Sequence, residues 1–196
     1  MKMLKLIVLF ALNGLFYHAL ASEIPELQQD NIPKELSIFV RYDELWGYVY
    51  HDLDDDGDID VLLITKPKKI KLTTTKNNLV LSILEKKKDG RFRKVSENKE
   101  IFLYFETPKH LFSGKDVFKF KKNQFSIYQE KHSGTLNNST YTFRKFKNGL
   151  WYLTEVENVR TENNTNTGMI DVVTELKKYP RDFKKIRFEQ FNPNIF

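Results

Sequence analysis

The stretch DLDDDGDIDVLLIT, residues 52–65, places six aspartates within nine positions and continues directly into an apolar run. Two carboxylates about 5 Å apart repel each other by roughly 3 kcal/mol at an effective dielectric constant near 20, so this loop requires a compensating partner. The apolar run has the length and composition of a buried β-strand. The stretch therefore predicts a strand whose entrance holds a bound cation.

The spacing of the aspartates is typical of a calcium loop. Counted from Asp52, aspartates fall at positions 1, 3, 5, 7 and 9, and Gly57 falls at position 6. Alternate side chains of a tight loop can turn to a common centre, a glycine permits the sharp backbone turn, and position 7 usually offers its main-chain oxygen. This number of hard oxygen ligands suits Ca²⁺ better than Mg²⁺, and the loop contains no Cys or His that would favour zinc. The candidate metal ligands are Asp52, Asp54, Asp56, Asp58 and Asp60. The intervening Leu53 and Asp55 should point away from the ion.

The flanks of the loop exclude a helix-loop-helix site. An EF-hand carries a bidentate Glu at position 12, where this chain has Leu63, and the flanking segments GYVYH and DVLLIT are strand-like. We therefore expect one β-loop-β calcium site. The alternative is a solvated acidic hairpin turn that holds no ion, since Asp and Gly are common in turns.

The segment GYVYHDLDDDGDIDVLLIT, residues 47–65, resembles the DxDxDGxxD calcium loop of FG-GAP and VCBS repeats. Such repeats occur in integrin-like β-propellers and in many exported bacterial proteins. Later segments, among them LVLSILEKKKDGRFRKV and TYTFRKFKNGLWYLTEVE, are similar to small exported bacterial proteins that carry a single loop of this kind. Propellers carry one copy of the loop per blade, whereas this chain has a single copy. The resemblance therefore implies ion binding at the five aspartates and does not extend to a propeller fold. It implies that Asp58 contributes its main chain.

The first residues have the pattern of a secretory signal peptide. Lys2 and Lys5 precede an apolar stretch from Leu6 to Leu12, and the small residues of Ala19-Leu20-Ala21 supply a cleavage site, so residues 1–21 are predicted to be removed. A membrane anchor is the alternative, but the stretch is short for a span of about 20 apolar residues. We expect a periplasmic or secreted protein with no stable membrane insertion after cleavage.

The remainder predicts one mainly β domain, a twisted antiparallel meander or a partly closed barrel. Residues 22–36 read as an extended lead-in with at most a short helical turn, and residues 37–196 as the domain. Period-two alternation of apolar residues and the turn pairs Asp-Gly and Asn-Gly favour antiparallel hairpins. The predicted strands lie near 46–52, 59–65, 78–86, 91–95, 101–105, 117–121, 124–130, 139–147, 150–157, 169–176 and 185–190. The polar residues 158–168 predict a mobile loop.

Charge is unevenly distributed along the chain. Residues 43–60 hold eight acidic and no basic side chains, whereas residues 66–122 hold 17 basic and six acidic ones. Residues 66–122, here called the basic half, are suited to binding an acidic protein or an anionic envelope component. Nucleic acid is not expected as a partner, because an exported protein rarely meets it and lysines on edge strands also prevent sheet-to-sheet association.

The sequence contains no recognisable catalytic set. It has no nucleophile elbow, HExxH motif or phosphate-binding glycine loop, and of its histidines His51 is the one beside the aspartates. On an alternating strand His51 should face opposite to Tyr50 and act as a strand residue. We expect a non-enzymatic binding or scaffold protein with a structural Ca²⁺. The alternatives are a periplasmic immunity or inhibitor protein against a toxin or lytic enzyme, and a calcium-dependent hydrolase that uses His51.

Overall fold

The computed structural model describes residues 31–68, 79–102, 117–130, 137–165 and 167–196. These residues form two antiparallel sheets, which confirms the mainly β class. The first sheet has the order β1-β2-β3-β4 and consists of Asp43–His51, Asp60–Pro67, Val80–Lys86 and Phe92–Asn98. The second has the order β5-β6-β7-β8-β9 and consists of Phe118–Lys121, Gln124–Glu130, Asn137–Lys145, Trp151–Asn163 and Ile170–Lys178. Each described sheet is an open meander. No helix within the described ranges is long and apolar enough to cross a membrane.

The first sheet is covered on both faces, which explains the apolar run in β2. Leu62 and Ile64 belong to the core cluster that also contains residues of the second sheet. Val61 and Leu63 point the other way and pack with Leu36 of the 3₁₀ helix Lys34–Phe39. A strand buried on both faces has a continuous apolar sequence instead of an alternating one.

The main core lies between the sheets and is rich in aromatic residues. Phe125, Phe143 and Trp151 of the second sheet are all 1% exposed or less. The ring of Phe125 contacts those of Phe143 and Trp151, with centroid distances of 5.5 and 5.2 Å. Phe188 and Phe191 of the C-terminal segment insert into the same cluster. The two sheets therefore pack as a sandwich closed by the end of the chain.

The predicted strand over 185–190 is wrong. The segment makes one isolated bridge, between Arg187 and Tyr152, and then forms the 3₁₀ helix Phe188–Gln190. The Asn98 side-chain amide donates to the carbonyls of Phe188 and Phe191. Phe188 and Phe191 are buried between the sheets, so their carbonyls cannot bond to water. The Asn98 side chain on β4 satisfies these carbonyls in place of a neighbouring strand.

The predicted loop over 158–168 is wrong in its first half. Strand β8 continues to Asn163, and its residues from Glu155 to Asn163 pair with the whole of β9. Val159 lies opposite Thr174, and Thr161 lies opposite Val172. Cross-strand pairs of β-branched residues favour a ladder where each strand alone looks polar.

The hairpins predicted from the turn residues are confirmed. Gly90, Asn123 and Gly149 have φ angles of 79°, 55° and 76° and lie in the β3–β4, β5–β6 and β7–β8 hairpins. Of the other predicted segments, 1–21, most of 22–36 and most of the strand 101–105 lie outside the described residues.

Candidate metal centre

The aspartate loop, residues 52–60, joins two paired strands. His51 ends β1 and Asp60 begins β2, and the two residues lie opposite each other in the ladder. Between them Leu53 is 1% exposed and belongs to the core cluster between the sheets. The loop is therefore fixed at both ends by hydrogen-bonded strands and near its start by a buried side chain.

Hydrogen bonds within the loop make it a tight turn. The two carboxylate oxygens of Asp52 accept from the amides of Asp56 and Gly57, at 3.2 and 3.0 Å. A carboxylate oxygen of Asp56 accepts from the amide of Asp58 at 2.9 Å. Asp55 and Gly57 have φ angles of 62° and 90°, in the left-handed region that a glycine tolerates best. The turn predicted for Gly57 is present.

Three of the five predicted ligands come together. Asp52, Asp54 and Asp60 each offer a carboxylate oxygen, and these oxygens lie within 4.8 Å of one another. Asp60 is 1% exposed, and its oxygens accept from the amides of Leu53 at 3.2 Å and Lys86 at 3.0 Å. Within the described residues Oδ1 of Asp54 is buried and has no hydrogen-bond partner. The cluster therefore contains a buried acceptor atom that a cation could use.

The other predicted residues take different positions. Asp56 and Asp58 lie in the same loop but outside the group of three. Leu53 points into the core, and Asp55 forms an ion pair with Lys122. Leu53 and Asp55, the two residues expected to point away from an ion, thus contact other parts of the chain.

A lysine from the second sheet neutralises part of the acidic cluster. Nζ of Lys145 on β7 lies 2.5 Å from Oδ2 of Asp54 and 2.6 Å from Oε1 of Glu85 on β3. The three side chains are 17%, 12% and 15% exposed, so this is a largely buried ion triad. Sequence reasoning missed Lys145 and Glu85, since neither lies near the loop in the chain and no local pattern pairs them with it.

The buried groups have shifted pKa values. Burial raises the pKa of Asp60 to about 7; amide hydrogen bonds from Lys86 and Leu53 oppose the shift, and the charges of Asp54 and Glu85 add to it. Burial disfavours the charged form of Lys145, but its bonds to Asp54 and Glu85 outweigh burial and raise its pKa. The site thus keeps its ammonium charged while one of its carboxylates resists ionisation.

His51 is a packing residue in this structure. Its ring lies against that of Phe120 on β5, with centroids 4.2 Å apart, whereas Tyr50 contacts Phe92 on β4. His51 and Tyr50 therefore point in opposite directions, as the alternation predicts. Burial lowers the pKa of His51, against the opposing charge of Asp52.

The donor set suits a hard divalent cation. Asp52, Asp54, Asp60 and Glu85 supply four carboxylates against the one ammonium of Lys145, so the fully ionised group has a net charge of −3. A divalent cation would reduce this charge to −1. All the available donors are oxygen atoms, which Ca²⁺ and Mg²⁺ prefer, and the loop contributes no sulfur or imidazole ligand to the group.

Comparison of the chain with protein-family models, with curated proteins and with solved structures gives no match. Any interpretation of the loop therefore depends on its own residues and geometry. These residues supply a compact carboxylate group, a buried unpaired oxygen and a competing lysine within the described part of the chain.

Proposed function

We propose that this protein binds one Ca²⁺ in the aspartate loop and uses it as a structural ion. The observation that carries the proposal is the group of Asp52, Asp54 and Asp60, whose oxygens lie within 4.8 Å of one another. Oδ1 of Asp54 is a buried acceptor without a hydrogen-bond partner among the described residues. A buried unsatisfied charge-bearing oxygen is costly, and a cation removes that cost.

The proposed coordination uses the five aspartates of the loop. Asp52, Asp54 and Asp60 bind through the carboxylates that are already together. Asp56 completes the site with its carboxylate and Asp58 with its main-chain oxygen, as in calcium loops of this spacing. The resemblance of residues 47–65 to FG-GAP and VCBS loops supports the same assignment.

The ion would link three strands of the first sheet. The loop joins β1 to β2, and Asp60 also accepts a hydrogen bond from the amide of Lys86 at the end of β3. The chain has no cysteine, so disulfides cannot supply this link. At extracellular-type dissociation constants of about 10⁻⁴ to 10⁻³ M, about 1 mM Ca²⁺ adds about 0.4 to 1.4 kcal/mol to the free energy of unfolding.

The proposed role is that of a non-enzymatic binding or scaffold protein outside the cytoplasm. The signal-peptide pattern of residues 1–21 supports export to the periplasm or the medium. The packing of His51 against Phe120 supports a structural role for the histidine beside the loop. An acidic protein or an anionic envelope component is the proposed partner for the basic half.

Calcium titration calorimetry on the metal-stripped protein tests the proposal, with thermal unfolding recorded before and after the titration. The expected result is saturable one-to-one binding and a raised unfolding midpoint. Mg²⁺ at the same concentration is the control and should raise the midpoint less, because it gives up its water ligands reluctantly. Neither heat nor a shift with Ca²⁺ would mean that the loop is a solvated turn neutralised by Lys145.

A further inference from the structure

Strand β9 is an exposed edge of the second sheet. It pairs with β8 on one side, and no other described strand pairs with it. Tyr179, the next residue, donates its amide to the carbonyl of Thr154 on β8. Such bonds alternate along an antiparallel ladder. The amide and carbonyl groups of odd-numbered β9 residues therefore point toward β8, and those of even-numbered residues point away from it. Lys178 agrees, since its amide and carbonyl bond to Asp182 outside the sheet.

The even-numbered side chains of this edge are apolar and exposed. Ile170, Val172 and Leu176 are 68%, 64% and 42% exposed. They lie on one face of the strand with Thr174 between them, because alternate residues of a strand share a face. A long edge strand with outward backbone groups and an apolar face is a template for pairing with another strand.

The sequence of β9 is complementary to itself in the antiparallel register centred on Thr174. If two copies pair about Thr174, Asp171 of each lies opposite the partner's Lys177, and Val172 lies opposite the partner's Leu176. A shift by two residues in one direction places Asp171 opposite the partner's Glu175, and in the other direction places Glu175 opposite its own counterpart. Like charges directly opposite are destabilising and unlike charges stabilising, so both of these shifts are disfavoured. A register centred on Leu176 would place Glu175 opposite the partner's Lys177, but it needs the amide and carbonyl of Lys178, which are bonded to Asp182.

The backbone fits the same register. Pairing about Thr174 matches Val172 with Leu176 and Thr174 with itself, all of which turn their amide and carbonyl groups outward. Lys178 is already bonded to Asp182, so pairing would end at Leu176. We propose that this protein forms a two-fold symmetric dimer in which the β9 strands of two copies pair antiparallel about Thr174 and join their five-stranded sheets into one.

Charge reversal tests the register. In sedimentation equilibrium over a concentration series, the wild-type protein should pass from the mass of one chain to that of two. D171K and K177D each place like charges opposite twice per dimer, so each should weaken association by about tenfold or more. The double variant D171K/K177D restores both opposite pairs and should regain association close to that of the wild type.

A backbone variant tests the strand pairing separately. Thr174→Pro removes an amide that faces outward and leaves the β8 ladder intact, so it should abolish the dimer in a folded protein. Thr174→Ala keeps the amide and is the matched control that should still associate. A wild-type protein that stays monomeric at all concentrations would overturn the proposal. So would a dimer that persists in Thr174→Pro, or single reversals that the double variant fails to rescue.

Discussion

The ammonium of Lys145 on β7 lies 2.5 Å from a carboxylate oxygen of Asp54 in the aspartate loop and thereby connects the two sheets at the candidate metal centre. The loop belongs to the first sheet and the lysine to the second. Lys145 provides part of the positive charge that the carboxylates require. A bound Ca²⁺ would share Asp54 with this lysine or displace it.

Replacing Lys145 by methionine should separate these two roles. The metal-free variant should lose about 2 kcal/mol or more of unfolding free energy, because Asp54 and Glu85 remain largely buried without their partner. Its calcium affinity should rise by about tenfold or more, since a competing positive charge is gone. Urea unfolding in chelator and calorimetry measure the two quantities. Unchanged affinity would show that the lysine and the ion do not compete.

Asp56 decides whether the site uses the whole loop or three carboxylates only. Asp56→Asn should lower calcium affinity by about tenfold if its carboxylate joins the site when the ion binds. Metal-free stability should change little, because the asparagine oxygen can still accept from the amide of Asp58. Asp55→Asn is the matched control, since Asp55 pairs with Lys122 and points away from the cluster. Equal losses of affinity in both variants would indicate a general charge effect without a specific ligand.

The metal-free protein should lose stability through Asp60 as the pH rises. The carboxyl has its ordinary pKa of 3.8 when unfolded, whereas burial raises its folded pKa to about 7, with the charges of Asp54 and Glu85 adding to the shift. Between these pH values the folded protein keeps the Asp60 proton while the unfolded chain has lost it, so the free energy of unfolding falls as the pH rises. The stability contributed by Asp60 is fully present below the lower pKa and is lost as the pH rises through the higher one. The contribution amounts to at most about 4 kcal/mol.

Urea unfolding in chelator from about pH 4 to about pH 7.5, for the wild type and Asp60→Asn, measures this contribution. The stability of the wild type relative to the variant should fall with pH, because asparagine does not ionise. Added Ca²⁺ should reverse the trend near neutral pH by stabilising the ionised carboxylate. Parallel curves for the two proteins would contradict the raised pKa.

Gly57 should be intolerant of a side chain for conformational reasons alone. Its φ is 90°, and a Cβ built there meets nothing within 4 Å, so crowding is not the cause. Gly57→Ala should cost about 1 to 2 kcal/mol in metal-free unfolding experiments, and Gly57→Val should cost more. Gly90→Ala, at a φ of 79° in a hairpin turn without acidic ligands, is the control for the backbone term. Calcium affinity should fall in the Gly57 variants and stay unchanged in the Gly90 variant.

The parts of the fold that sequence could predict are local ones. Hairpins at Gly90, Asn123 and Gly149, the strand flanks of the loop and the outward position of Asp55 all follow from residues within a few positions of one another. The ion triad does not, because Lys145 and Asp54 are 91 residues apart. The 3₁₀ helix at Phe188 does not follow from local sequence either, because the ring packs against residues from distant parts of the chain.

The separation between the local loop and the distant lysine has a consequence for folding kinetics. The ligands of the proposed site lie within nine consecutive residues, so a β1–β2 hairpin can assemble them before the sheets meet. The Lys145–Asp54 contact can form only when β7 docks, and it spans 91 residues. Ca²⁺ should therefore mainly accelerate refolding, whereas loss of Lys145 should mainly accelerate unfolding. The two sources of positive charge would then control opposite limbs of the chevron plot.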